Sequence, residues 1–254
     1  MKAITASINS MKLFFGEDKL GHLSARWLDR YTPSLSDSQL CALFESVSGE
    51  SASYFGITGN AKAIAEKLMI EFYHNEAFVK ASVVNSLKKE KNVTFFEMPL
   101  LNSRIDICSI NGHSCAYEIK TEYDSFKRLG KQIDDYLKVF EFVYVVCPFD
   151  KVDELQKIIP NCVGVIGYDN SQTVCKLITI KEASLSNTID PFIQLSLLHK
   201  KEKKCCFCLE NDSCKTNDYF KQCLKKRYKK KWCSFKKASS TISRLDYQYF
   251  FNYC

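Results

Sequence analysis

Two carboxylates and a lysine stand close together in the middle of the chain. Asp106 lies in the segment RIDICSI, and Glu118 and Lys120 lie in CAYEIKT. Both segments are otherwise apolar and rich in β-branched residues, which predicts strands. Carboxylate oxygens bind hard cations such as Mg²⁺ or Mn²⁺, a metal-activated water can attack a phosphodiester, and a lysine can neutralise the developing charge. The three residues therefore suggest phosphodiester hydrolysis, with a surface ion pair between Asp106 and Lys120 as the alternative.

The length of the Asn-Gly turn between the two strands decides which faces these side chains take. A two-residue loop would place Asp106 and Glu118 on opposite faces of the hairpin. A three-residue loop of residues 110–112 would put glycine at a left-handed position and pair Asp106 with Ala116. We predict the three-residue loop, because it brings Asp106, Glu118 and Lys120 to one face.

This pattern of acids and lysine resembles the D…ExK motif of the PD-(D/E)XK nuclease superfamily. Gln132 and Tyr136, four residues apart, resemble the QxxxY motif of its RecB-like branch. From about residue 97 to residue 200, including YEIKTEYDSFKRL, the chain also resembles a poorly characterised family of small bacterial proteins assigned to that superfamily. One departure is that Ile105 precedes Asp106, where the superfamily usually has proline.

The resemblance implies a fold, a metal site and roles for individual residues. The fold would be α/β, a restriction-endonuclease-like core with a mixed central sheet flanked by helices, carrying helical N- and C-terminal additions. Lys120 would stabilise the transition state, and Gln132 and Tyr136 would lie near the active site. The ligands of Mg²⁺ or Mn²⁺ would be Asp106, Glu118, the backbone carbonyl of Ile119 and, as an accessory acid, Glu97. Glu76 is ranked below Glu97, since the helix dipole alone favours glutamate in a first turn.

The chain divides into three predicted regions. Residues 1–59 are predicted to form a helical lobe, residues 60–185 the nuclease core, and residues 186–254 a basic, cysteine-rich helical region. Alternating strands and helices in the middle region favour an α/β sandwich. A long helix is predicted to begin after Asn60, with a candidate break near residues 74–75.

The positive charge is concentrated at the C-terminal end. The whole chain carries a net charge of +7, whereas residues 200–254 contain 15 Lys or Arg and only 5 Asp or Glu. This asymmetry favours a polyanion partner, with DNA preferred to RNA, although a solvated basic helix has the same composition. Candidate phosphate contacts are Lys127, Arg128, Lys131, Lys225, Lys226 and Arg227. Three aromatic residues at helical spacing would either stack on bases or pack as an amphipathic helix: Tyr228, Trp232 and Phe235.

The chain contains 13 cysteines and no apolar run long enough to span a bilayer. Without an export signal, most cysteines are expected to be reduced thiols of a cytoplasmic protein with no membrane partner. Cys205, Cys208 and Cys214, with Cys41 upstream, resemble the iron–sulfur ligands of some RecB-like nucleases, and zinc is a chemical alternative. The free use of cysteine elsewhere weighs against either cofactor.

The residues and the resemblance together predict a metal-dependent nuclease acting on DNA, and the resemblance implies a role in defence against foreign DNA. The alternative is a catalytically inactive module on the same fold that binds nucleic acid or is regulated by a partner. Many nucleases of the resembled fold use two active sites for two strands, so a homodimer or a regulatory protein partner is also expected.

Overall fold

A computed structural model describes residues 2–73, 75–88, 91–169, 175–203, 213–247, 249 and 250. The described residues form one six-stranded mixed sheet with helices packed around it. The strands follow chain order across the sheet: β1 Val93–Leu100, β2 Ser103–Asn111, β3 His113–Ile119, β4 Phe142–Pro148, β5 Gly164–Asp169 and β6 Lys176–Lys181. The α-helices are α1 Lys2–Phe15, α2 Glu17–Leu28, α3 Asp37–Ser48, α4 Ala61–Phe72, α5 Glu76–Leu87, α6 Leu129–Leu137, α7 Val152–Gln156, α8 Pro191–Ser196, α9 Lys200–Lys203 and α10 Ser213–Ala238.

The sheet combines two kinds of connection. Strands β1, β2 and β3 form an antiparallel meander, whereas β3, β4 and β5 run parallel and β6 returns antiparallel. Parallel neighbours require a crossover, and α6 and α7 supply the two crossovers. Strand β4, FVYVVCP, is almost wholly apolar because it lies between two parallel neighbours. A mixed α/β architecture is therefore confirmed.

The β2–β3 hairpin differs from the predicted register. Asn111 pairs with His113, with Gly112 between them at φ 77°. The predicted three-residue loop is wrong, and the register is displaced by two residues, which places Asp106 across from Glu118 rather than Ala116. A displacement of two residues preserves the alternation of faces, so the two carboxylates still lie on the same face of the hairpin.

Helices α1 to α4 pack together as an N-terminal group, and α4 is the last of them. This helix packs against α1, α2 and α3, whereas α5 packs against β2 and β3. The predicted long helix is broken, since Tyr73 follows the end of α4 and the side chain of Asn75 caps α5 by accepting from Phe78 N at 3.1 Å. Because of this break, α4 packs among the N-terminal helices while α5 packs on the sheet.

The C-terminal helix α10 is packed through its aromatic side chains. The rings of Phe95 and Tyr228 stack with centroids 4.1 Å apart, and Phe235 contacts Phe96 and stacks on Trp232. Trp232 and Phe235 are buried. Of the two interpretations of these aromatic residues, the packed amphipathic helix is the one observed. The buried residues form one continuous core from α1 to Tyr247.

Among the residues that the structure describes, no helix is both long enough and apolar enough to cross a membrane.

Candidate active site

A polar cavity of about 900 Å³ opens beside the β1–β2–β3 meander. Helices α5 and α6 both contact β2 and supply side chains to this cavity. Its lining includes acidic, basic and tyrosine side chains: Glu76, Lys80, Glu97, Arg104, Asp106, Lys120, Tyr123, Asp124, Arg128, Lys131, Gln132 and Tyr249. Four of the six residues that the sequence predicted to be catalytic are in this set.

Three carboxylates converge in the cavity, and we call them the acidic triad: Glu76, Glu97 and Asp106. One oxygen of each lies within 4.8 Å of the others. The ammonium of Lys80, from α5, contacts all three, with Nζ 3.2 Å from Oδ1 of Asp106. The sequence analysis ranked Glu76 below Glu97, but the structure brings them together.

Glu118 occupies a separate, fully hydrogen-bonded position. Its Oε1 accepts from Lys120 Nζ and from Gln132 Nε2, both at 2.7 Å. Its Oε2 accepts from the Tyr136 hydroxyl at 2.6 Å. Lys120 also donates to Gln132 Oε1 at 3.1 Å, which closes the network. We call these four residues the Glu118 cradle.

The four-residue spacing of Gln132 and Tyr136 on α6 brings both side chains to Glu118. Gln132 and Tyr136 are one helical turn apart and therefore present their side chains on one face. The Tyr136 ring is fully buried, and its hydroxyl also lies 2.8 Å from the carbonyl oxygen of Arg104. The prediction that this pair lies near Glu118 and Lys120 agrees with the geometry, although a catalytic role is not tested by it.

One hydrogen bond joins the triad to the cradle. Oδ2 of Asp106 accepts from the backbone N–H of Ile119 at 2.7 Å, between Glu118 and Lys120 in the chain. The predicted ligand role of the Ile119 carbonyl stays a prediction. In the described residues Glu118 is not among the converging acids, so Asp106 and Glu97 are the predicted carboxylate ligands that belong to the triad.

Burial and neighbouring charge perturb both ends of the Asp106–Lys80 ion pair. Burial raises the pKa of Asp106 well above its usual value, and Glu118 and Glu76 raise it further, against the opposing effects of Lys80 and the Ile119 N–H. For Lys80, burial lowers the pKa, but Asp106, Glu76 and Glu97 outweigh it and raise the pKa overall. Lys80 is therefore a charged ammonium at neutral pH.

Glu97 has an unusual backbone. Its φ is 53°, in the left-handed region that few residues other than glycine adopt. Its side chain reaches Lys80 through Oε1 and Arg104 Nε through Oε2, the latter at 2.9 Å. Strained backbone at a cluster of charged side chains is characteristic of functional sites.

The candidate phosphate contacts fall into two groups. Arg128 and Lys131 line the cavity, while Lys127 is exposed outside it. The three candidates on α10, Lys225, Lys226 and Arg227, do not line the cavity. Arg227 forms an ion pair within the protein, in which its Nε donates to Glu202 Oε1 at 3.1 Å.

The iron–sulfur cluster or zinc considered at Cys205, Cys208 and Cys214 is not tested by the structure. Cys205 and Cys208 lie outside the described residues, and Cys214 is exposed on α10. The thiol of Cys41 donates to the carbonyl of Ile57 at 3.7 Å.

Sequence reasoning missed several residues that line the cavity, and two of them, a buried lysine and an exposed tyrosine, bear on its chemistry. Lys80 is one, although a lone lysine inside the apolar run AFVKASVV was a detectable signal. Tyr123 is the other, with its side chain 65% exposed and its ring 5.5 Å from the ring of Tyr73. No motif pointed to Tyr123, since a tyrosine in a connecting loop has no distinctive pattern.

Comparison with known proteins assigns the chain to a family. Residues 69–249, which contain the whole sheet and the cavity, match the family described as Bacteriophage P4 protein cII. The chain belongs to this family. The prediction of membership in the PD-(D/E)XK nuclease superfamily is therefore wrong, because the family that matches across the motif residues is the cII family.

A curated relative in the cII family is Protein cII of Enterobacteria phage P4. It is 31% identical over 101 residues, which cover 40% of this chain and 38% of the relative. The match thus spans well under half of either protein. Among solved structures, a protein of unknown function from Silicibacter pomeroyi, SPO1766, aligns with a TM-score of 0.36 and 17% identity, over 46% of this chain and 76% of that one. Nothing about fold or function follows from a likeness this weak.

Proposed function

We propose that this cII-family protein is a metal-dependent nuclease that hydrolyses phosphodiester bonds, with DNA as the favoured substrate. The observation that carries the proposal is that one cavity is lined both by an all-oxygen donor set and by a lysine held against a carboxylate. The proposal rests on this geometry and not on family membership. A role in defence against foreign DNA is part of the same proposal.

The donor set fits a hard divalent cation. All three triad members offer carboxylate oxygens, the ligands that Mg²⁺ and Mn²⁺ prefer, and no softer sulfur or nitrogen ligand is in this group. Asp106, Glu97 and Glu76 would hold the ion, with Glu118 reaching it only if the cradle opens. When bound, the metal would supply an activated water and would neutralise charge on the phosphate oxygens.

The chain's own residues would orient the substrate and stabilise charge. Lys120 is held by Glu118 and Gln132 at the cavity wall, with its side chain 11% exposed, so its ammonium is pre-positioned rather than freely solvated. A fixed cation in a partly dehydrated site stabilises a developing negative charge better than a mobile one. Arg128 and Lys131 would bind phosphates at the rim of the cavity.

The finer fold prediction, a restriction-endonuclease-like core, belongs to the same proposal. Its support is the order of an antiparallel meander followed by parallel strands, with Asp106 on β2, Glu118 on β3 and Lys120 directly after β3. It is offered as an architectural likeness, not as an evolutionary assignment.

A second candidate function is a nucleic-acid-binding module without turnover. The observation that favours it is the extent of internal neutralisation: Lys80 engages the whole triad, and Lys120 engages Glu118. Such a module would use Arg128 and Lys131 for binding while the acids stay paired.

Cleavage assays separate the two functions. Single-stranded DNA, double-stranded DNA and RNA are incubated with wild type, Asp106→Ala and Lys120→Met, in Mg²⁺, in Mn²⁺ and in EDTA. Asp134→Ala is the matched control, because Asp134 is exposed on α6 and does not line the cavity. We expect metal-dependent cleavage by wild type and the control, abolished by Asp106→Ala and reduced by about 10²–10³-fold by Lys120→Met.

Two outcomes would contradict the nuclease. Cleavage that survives Asp106→Ala would place the chemistry elsewhere. Binding of nucleic acid without cleavage under any metal condition would favour the binding module.

A further inference from the structure

Lys80 is unusual among the lysines of this chain. Its side chain is only 2% exposed, although lysine is among the residues least often buried. Its neighbours in α5, Val79 and Ala81, are also buried, so it projects from a packed helix and not from a solvated face. The cost of burying an ammonium is offset here by three carboxylates around Nζ.

The Lys80 ammonium lies among the carboxylates that would bind the metal. Each member of the acidic triad directs one oxygen at Nζ, and the same three carboxylates form the group that could hold a cation. The point at which the triad converges is therefore already a cation site, occupied by the protein's own charge. A divalent ion and an ammonium placed on the same three oxygens would repel each other strongly in a partly buried site.

Within the part of the chain that the structure describes, the acidic triad is the one group of three or more acidic, histidine or cysteine side chains close enough to hold an ion. Glu118 is the nearest further acid of the hairpin, and both of its oxygens accept hydrogen bonds within its cradle. The second oxygen of Glu97 is taken by Arg104, and that of Asp106 by the Ile119 N–H. An ion that enters beside Lys80 would find few uncommitted oxygens.

We propose that the Lys80 ammonium and the divalent cation are alternative occupants of the acidic triad, so that metal binding requires Lys80 to leave. Lys80 thereby holds the three carboxylates together in the metal-free protein and sets a threshold for metal loading. This inference takes the metal from the proposed function but does not depend on cleavage.

Metal affinity gives the first test. Mn²⁺ binding is measured by titration calorimetry for wild type, Lys80→Met and Lys67→Met. Lys67 is the matched control, because it also pairs with a glutamate one helical turn away, Glu71, but lies on α4 outside the cavity. We expect Lys80→Met to bind Mn²⁺ about 10-fold more tightly than wild type, within the usual range for coupled binding events, and the control to match wild type. Equal or weaker binding by a folded Lys80→Met protein would overturn the proposal.

A second measurement uses wild type only, which removes the risk that Lys80→Met fails to fold. The protein is treated with an amine-acetylating reagent in EDTA and in saturating Mn²⁺, and modification at Lys80 is quantified by mass spectrometry. We expect Lys80 to be protected in EDTA and to become several-fold more reactive when metal is bound, while Lys67 reacts equally in both. Protection that persists in protein shown to have bound Mn²⁺ would overturn the inference.

The outcomes also separate this inference from the proposed function. If Mn²⁺ displaces Lys80 but no nucleic acid is cleaved, the inference stands and the nuclease fails. If cleavage is metal-dependent and Lys80 stays protected, the nuclease stands and the inference fails. If neither wild type nor folded Lys80→Met binds Mn²⁺, the inference fails together with the metal.

Discussion

The substitution Tyr136→Phe tests whether the Glu118 cradle is a stabilising part of the fold. The ring of Tyr136 is fully buried, and its hydroxyl donates to Glu118 Oε2 at 2.6 Å. The side chain of Glu118 is itself only 3% exposed. Phenylalanine retains the ring and its packing. The change therefore removes the hydrogen bond to the buried carboxylate of Glu118, together with the 2.8 Å contact of the same hydroxyl with the carbonyl oxygen of Arg104.

The expected loss of stability is worked from the hydrogen bond between Tyr136 and Glu118. A hydrogen bond to a charged group contributes about 1.5–3 kcal/mol, and leaving a buried carboxylate oxygen without its donor has a cost of this size. Burial of the hydroxyl against Glu118 also raises the pKa of Tyr136 far above its usual value, so the phenol is a donor at every pH of interest. For a chain of this size, the loss corresponds to a fall in Tm of about 3–12 °C.

The assay is urea unfolding in EDTA, followed by circular dichroism, so that metal binding does not contribute. Tyr144→Phe is the matched control, because its hydroxyl donates at 2.9 Å to Glu182 in an exposed pair. We expect the urea midpoint to fall for Tyr136→Phe at constant slope. For the control, we expect the free energy of unfolding to change by no more than about 0.5 kcal/mol.

A double-mutant cycle makes the test specific. With Glu118→Gln as the second substitution, the two changes share one contact, so their effects are expected to be non-additive. A Tyr136→Phe effect as small as that of Tyr144→Phe, or full additivity with Glu118→Gln, would refute the view that the cradle holds Glu118.

Two further predictions concern other parts of the chain. Burial, with a smaller effect from Arg244, lowers the pKa of Lys88 to about 8, so the unfolded chain binds more protons between that value and about 10.4. The contribution of Lys88 to the free energy of unfolding therefore rises with pH across this window. Urea titrations of wild type and Lys88→Met at pH 7 and pH 10 should show that wild type gains stability relative to the variant at the higher pH. A difference in free energy between the two proteins that is the same at both pH values would contradict this. Tyr123 is exposed and lines the cavity, so Tyr123→Ala should weaken the binding of single-stranded oligonucleotides by about 1–3 kcal/mol in a fluorescence anisotropy assay. Tyr54 is equally exposed but does not line the cavity, so Tyr54→Ala should leave the affinity unchanged.

The local structure around the site could be predicted from sequence because its signals are short-range. Alternating apolar runs on both sides of the Asn-Gly turn indicated the hairpin that carries Asp106 and Glu118. The four-residue spacing of Gln132 and Tyr136 indicated one face of a helix. What failed was the register, since a displacement by two residues leaves the same side chains on the same faces and so leaves no trace in the hydrophobic pattern.

The resemblance to a nuclease superfamily failed for a related reason. Two acids and a lysine at short spacing are compatible with many sequences, so the motif suggested a chemistry, which stays a prediction, but did not identify ancestry. The family emerged only from similarity spread over residues 69–249.

Sequence alone thus determined the strands, the helix after them and the residue types that the hairpin presents, because each depends on neighbours within a few positions. Tertiary structure decided which charges meet. Lys80 lies 17 residues before Glu97 and 26 before Asp106, on a helix whose buried faces look apolar throughout. Its role depends on the break after α4 and on how α5 packs against β2, and the favourable energy of an ammonium among three carboxylates exists only once that packing has removed water from them.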